Sequence, residues 1–202
     1  MTLIEQAINI RLMRLKDETK SENIFNAAVE LINELGLAEI SMSKIAKKAN
    51  VSSSTIYVYF ENKEDMLNKL YLSVKKKMSL AVFENFDDSI SLQIAFETCL
   101  RKLADFILNN KNDFLFVEQF SNSPQIHKLS RKEGTELFDP IRNLFEKGKK
   151  QDVFKKVDTN LLVTFTFEPI MQFAKDHLND ETKLNEDNIN KIIQMSWDAV
   201  KA

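Results

Sequence analysis

Six hydroxyls fall within the eight residues 52–59, on Ser52, Ser53, Ser54, Thr55, Tyr57 and Tyr59, with no charged side chain among them. Ser and Thr hydroxyls can donate to or accept from base edges, Val58 and the Thr55 methyl can touch a thymine methyl, and tyrosine hydroxyls can reach phosphates or bases. The chain is poorly supplied for other chemistry. Cys99 is the one cysteine and His127 and His177 are the two histidines, so no internal disulfide can form and no Cys/His cluster has metal-ligand spacing. Cys99 has no histidine near it in sequence, and neither it nor a carboxylate pair such as Asp87 and Asp88 has a nucleophile–base arrangement that would support a helical enzyme. Gly36, Gly134 and Gly148 stand too far apart for a GxGxxG turn or a GxxxxGK[ST] phosphate loop. No metal, cofactor or catalytic residue is expected.

A hydroxyl-rich segment reads DNA only if its neighbours hold it out, and the neighbours here are helical. The 202 residues carry 28 Lys+Arg against 30 Asp+Glu, with three glycines and three prolines, a composition of helices rather than of a many-stranded sheet. Thr19-Lys-Ser-Glu22 is a capping-box pattern, after which Ile24, Ala27, Ala28, Leu31, Ile32 and Leu35 recur at helical spacing up to Gly36, a left-handed stop. Ser41 caps a second helix with Ile45, Ala46 and Ala49 on its buried face, and Asn50 tolerates the left-handed turn that ends it. Ser52 caps a third helix, Ser53 to Phe60, and Asn62 a fourth running toward Met78. The three-residue link Asn50-Val51-Ser52 makes helices two and three cross steeply, as in a helix-turn-helix. With Ile56 and Phe60 inward, Ser54 and Val58 face directly away, flanked by Thr55 and Tyr57. The start of helix four offers Lys63 and free backbone N–H groups as a phosphate clamp. Residues 41–80 carry eight lysines against Glu61, Glu64 and Asp65, a local excess of +5.

The run from Ser41 to Leu67, with helix one before it, resembles the TetR family of bacterial transcriptional regulators. The resemblance rests on Ile45-Ala46, the Val51-Ser52 turn, Thr55-Ile-Tyr57-Val-Tyr59-Phe60, and the Lys63-Glu-Asp-Met-Leu67 start of helix four, with Asn50 where the family usually has glycine. It implies that Ser41 or Ser43 contacts phosphate, that residues Ser52 to Tyr59 supply groove and backbone contacts, and that Lys63 holds a phosphate. Tyr59 lies nearer the buried side, so packing is its alternative role, and Tyr71 reads as a packing residue. Lys75, Lys76 and Lys77 read as a solvated face or as further DNA contacts.

The expected fold is all-α: an N-terminal extension over 1–18, a three-helix DNA-binding domain over 19–65 with helix four linking to about 80, and a helical ligand-binding and dimerisation domain over 81–202. Ile4, Ile8, Leu12 and Leu15 form a narrow helical stripe in the extension beside Arg11, Arg14 and Lys16. The readings are a short helix packed on the body, a basic arm touching DNA, or a misassigned start with Met13 as first residue. Thirteen of the fifteen phenylalanines fall after residue 80. Past a hinge-like Asn85 to Ser89, amphipathic helices are expected over Leu92 to Leu108 and Asp113 to Phe120, and a stretch from Gln125 to Lys150 bent or split at Pro140.

Two last helices, 160–178 and 186–200, carry apolar residues on more than one face. The family resemblance implies that they pair with a second copy in a C2 homodimer, and a palindromic DNA operator read by two recognition helices needs such a pair. The resemblance also implies an effector cavity between the middle helices. Leu103, Phe106, Ile107, Phe116 and Phe120 are its candidate lining, although a phenylalanine stripe at helical spacing is also what plain core looks like, and His127 reads as an exposed or capping histidine after Pro124 or else as a polar group of the pocket. A small hydrophobic effector would then release the repressor from DNA; control by protein partners without a ligand is the alternative. No apolar run approaches the roughly 18 residues of a membrane helix, and Glu5, Gln6, Asn9 and Arg11 spoil a secretory segment, so the expected location is the cytoplasm and no membrane contact is expected.

Overall fold

The structure, a computed structural model, describes the backbone of residues 3–84 and 90–202 and the side chains from residue 19 on within those spans. The ten helices among the described residues are α1 (Leu3–Leu35), α2 (Met42–Lys48), α3 (Ser53–Tyr59), α4 (Lys63–Phe83), α5 (Leu92–Asn109), α6 (Lys111–Ser121), α7 (Lys128–Glu136), α8 (Asp139–Lys150), α9 (Thr159–Leu178) and α10 (Glu186–Val200). The hinge expected over Asn85 to Ser89 lies outside the described residues, as do the side chains of the stripe in residues 1–18.

The expected boundary at Thr19 is absent. Helix α1 runs unbroken through the capping-box residues, because an N-cap needs a non-helical residue and neither glycine nor proline interrupts 3–35. Local start signals farther on do operate. Ser41, Ser52, Asn62, Ser91 and Asn185 each accept a backbone N–H three residues later and open α2, α3, α4, α5 and α10. Gly36 at φ +82° ends α1, and Asn50 at φ 54° makes the left-handed turn between α2 and α3. Pro140 sits in the first turn of α8, so the stretch 125–150 is split into α7 and α8.

The apolar residues form two clusters. One holds Ile24, Ala28 and Ile32 of α1, Ile45 of α2, Ile56 of α3 and Met66, Leu67, Leu70 and Tyr71 of α4. It is closed by residues far along the chain: Phe116, Val117 and Phe120 of α6, and Ile126 after it. The N-terminal head therefore does not complete its own core. Phe116 stacks on Phe120 at 5.6 Å, and Phe120 meets Tyr71 at 5.8 Å. Gly134 of α7 allows the same tyrosine in, since a Cβ there would lie 2.7 Å from Tyr71 Cε1. Buried Asn68 of α4 donates to Glu64 O and Gln125 O and accepts the His127 N–H, so the segment between α6 and α7 is pinned to α4.

The second cluster fills the body, from Met78 and Val82 of α4 through α5, α8, α9 and α10. Its centre is aromatic, with Phe145 and Phe154 5.0 Å apart edge to face and Trp197 5.4 Å from Phe96. The connection after α8 folds back on the C-terminus, where Lys155 N–H donates to Val200 O and Ala202 N–H to Val153 O. Cys99 is buried here, and burial pushes its thiol up to about 12, which leaves it an inert core residue.

Candidate functional site

Two places are candidates for a functional site: the outer face of α3 and a cavity in the body. On α3, Ile56 and the C-cap Phe60 are buried in the head core while Val58 is 79% and Tyr57 56% exposed, with Ser52, Ser53 and Ser54 also exposed. The hydroxyls are already oriented by one another: Ser52 Oγ lies 2.8 Å from Ser54 Oγ and 2.7 Å from Thr55 Oγ1, and accepts the Thr55 N–H at 3.1 Å. Ser41 and Ser43 pair likewise at the start of α2, 3.1 Å apart. Tyr59 is half-buried with its ring 6.2 Å from Phe60, so it joins the packing side of α3.

Lys63 is not presented as the expected phosphate clamp. Its ammonium donates to Leu37 O at 2.7 Å and Ile40 O at 2.9 Å, and burial holds its pKa below the ordinary lysine value. The N-terminus of α4 is also occupied, since Asn62 Oδ1 accepts the Asp65 N–H and the first turn carries Glu64 and Asp65. Lys63 thus fastens the α1–α2 connection to α4. Lys63→Met is expected to lower stability by about 1–3 kcal/mol, by orphaning two part-buried carbonyls, and operator affinity should fall only as far as folding does. Thermal melts beside duplex titrations check this; lost affinity at unchanged melting would return Lys63 to the phosphate. Of the other basic residues in the head, Lys44 donates to Glu39 O, Lys48 pairs with Glu30 and Glu34, and Lys69 pairs with Asp65. Lys47 is exposed and has no such partner among the described residues.

The cavity, about 410 Å³, lies among α4 to α9. Its apolar lining is Met78, Leu103, Phe114, Val117, Phe138, Ile141, Val163, Phe167 and Met171, and Lys75, Glu118, Arg142 and Glu168 bring charge to it. Of the residues expected in the lining, only Leu103 is there. Phe106 and Ile107, one turn beyond Leu103, are buried in the body core and do not reach the cavity. Phe116 and Phe120 belong to the head core. His127 is placed at the start of α7, its Nε2 2.9 Å from Glu64 Oε1. The lysine triple divides: Lys75 lines the cavity with Nζ 4.1 Å from the centre of the Phe138 ring, Lys77 pairs with Asp113 at 2.7 Å, and Lys76 is exposed. The four charged lining residues were absent from the expected set, because nothing local in sequence marks which face of α4, α6, α8 or α9 turns inward. Among the described residues, no His, Cys, Asp and Glu grouping could hold a metal, and no helix is long and apolar enough to cross a membrane.

A short capped helix held outward on a helix-turn-helix, joined to an all-helical body with a cavity, defines a DNA-binding regulator of transcription. Residues 24–70 match the bacterial regulatory proteins of the tetR family, and residues 91–201 match the tetracyclin repressor-like C-terminal domain. The chain belongs to the TetR family of bacterial transcriptional regulators, and it is not an enzyme. It is 23% identical to an HTH-type transcriptional regulator of Haemophilus influenzae over 94% of this chain and all of that one. A TetR family transcription regulator from Marinobacter aquaeolei superimposes with a TM-score of 0.87 at 26% identity, over 93% of this chain and 98% of that one. The transcriptional regulator FadR from Bacillus subtilis, in complex with stearoyl-CoA, shares the fold with a TM-score of 0.70 at 22% identity, over 87% and 96% of the two chains.

Proposed function

We propose that this regulator is a homodimeric repressor that reads a palindromic operator through α3 and lets go when a small apolar effector fills the cavity. The observation that carries the proposal is the double duty of α6. Phe114, Val117 and Glu118 line the cavity while Phe116 and Phe120 of the same helix close the core on which α2 and α3 rest. A ligand that displaces α6 therefore works directly on the head, and switching requires only that it bind one arrangement better than the other.

The groove-facing residues in this reading are Ser53, Ser54, Tyr57 and Val58, with Ser41, Ser43, Ser52, Thr55 and the edge of Tyr59 toward the backbone. Dimerisation falls to the outer faces of α9 and α10, where Leu161, Phe165 (58% exposed) and Met195 (71%) form an apolar surface on helices whose other faces are buried. Two heads spaced by about 34–36 Å would read successive turns of the groove. The stearoyl-CoA held by FadR supports an apolar effector for a body of this fold.

Selection of duplexes from a random pool by the purified protein, followed by mobility shift, tests the reading. A palindromic duplex should emerge, bound by two chains, with affinity falling linearly in log–log against salt. Recovery of no sequence at low salt would remove the proposal.

A further inference from the structure

Four charged side chains reach the cavity, and three are answered within the protein or at its surface. Glu118 has Lys175 Nζ 4.0 Å away, Arg142 donates to Asn160 Oδ1 at 2.9 Å, and Glu168 is exposed. Lys75 is different. Its stem comes off the middle of α4, its ammonium stands over the Phe138 ring at 4.1 Å, and it has no hydrogen-bond acceptor among the described residues. Glu118 is the charge it feels, yet that carboxylate lies beside Lys175. A lysine ammonium has three N–H donors, and one aromatic face satisfies none of them as an oxygen would. Lys75 is half-buried and its ammonium opens onto the cavity, so a ligand lying against the apolar walls can supply the oxygen acceptor that the protein does not.

We propose that the effector is an apolar organic anion whose carboxylate is received by Lys75 and whose hydrocarbon lies along Met78, Leu103, Phe114, Ile141 and Phe167. The inference rests on the reading of the cavity as the effector site and adds the chemical class of the ligand. The carboxylate oxygens accept from the ammonium in a charge-assisted bond at the cavity wall, and the apolar walls take the tail. Lys75 lies two helical turns along α4 from Asn68, the residue that ties that helix to the loop before α7, so an anion seated on Lys75 pulls at the helix that carries the head.

Decanoate, decanol and decyltrimethylammonium share a tail and differ in head, so titrating each into the full-length protein, with thermal shift and calorimetry as readouts, isolates the contribution of charge. Decanoate is expected to bind at least tenfold more tightly than decanol, and decyltrimethylammonium more weakly than either. Lys75→Met should erase the preference for decanoate while leaving decanol binding within about threefold, and it should melt no lower than the wild type because methionine fills the same volume without an ammonium to desolvate. Equal binding of acid and alcohol, preference for the ammonium head, binding of none of the three, or a decanoate preference that survives Lys75→Met would each overturn the proposal. If decanoyl-coenzyme A binds tighter than decanoate irrespective of Lys75, the recognised charge lies outside the cavity, which also overturns it. Adding each compound to a preformed complex with the selected duplex separates the two claims. Lys75-dependent binding of decanoate without DNA release contradicts only the effector-released repressor, whereas release by decanol or the ammonium compound alone contradicts only the anion.

Discussion

Phe120→Ala is expected to loosen the DNA-reading head although residue 120 lies fifty positions beyond the stretch that matches the family's DNA-binding domain. The ring is fully buried among α1, α4 and α6, stacked on Phe116 and tilted against Tyr71. Removing a buried phenylalanine from a packed core costs about 3–5 kcal/mol, as lost transfer energy plus the cavity left behind. For a chain of this length that lowers the melting temperature by roughly 10 °C or more. Amide exchange should quicken in α1 and α4 as well as in α6, and operator binding should decline with the folded fraction. The same reasoning predicts that a fragment ending at residue 84 fails to hold its three N-terminal helices, because Phe116, Val117, Phe120 and Ile126 would be missing from their core. Exchange that quickened in α6 alone, or a stable head fragment, would show that the two parts are independent.

Tyr57→Ala is expected to do the opposite: lower operator affinity about tenfold to a hundredfold, which is about 0.7–1.4 kcal/mol for each of two half-sites and the low end for a groove contact, with the melting temperature unchanged within a degree or two. More than half of the Tyr57 side chain is in solvent and no packing partner in the head core depends on it. Duplex titration and thermal melting on the same preparation decide between roles. A parallel loss of stability would make Tyr57 a structural residue, and unchanged affinity would move the contact to Ser54 and Val58.

What could be read from sequence is what local chemistry dictates. Ser41, Ser52 and Asn62 announce helix starts because their side chains satisfy the N–H three residues on, and Asn50 marks the turn because few other residues take φ 54° cheaply. The outward face of α3 followed from 100° per residue once Ile56 and Phe60 were turned inward. The same signals mislead where a competing requirement wins. Thr19 carries a capping-box pattern inside a helix that has no reason to end there, and Lys63, expected to grip phosphate, is held by two carbonyls from a loop 23 and 26 residues earlier.

The cavity was the least legible part. Periodicity shows that α6 is apolar on several sides but not which neighbour each side meets, so a sequence reading groups Phe116 and Phe120 with a lining they do not join, while Phe114 joins it and Val117 touches both the cavity and the head core. Lys75 was hidden by its neighbours, since three lysines in a row look alike until α4 is wound and Phe138 is brought beneath one of them.

The central claim is that the hydroxyl face of α3 meets DNA. Hydrogen exchange of the protein with and without its selected duplex measures that most directly. The account predicts slowed exchange at the amides of residues 52–60 and at the start of α2, with α5 and α8 unchanged. Protection confined to the body, or none anywhere despite a shifted duplex, would contradict it.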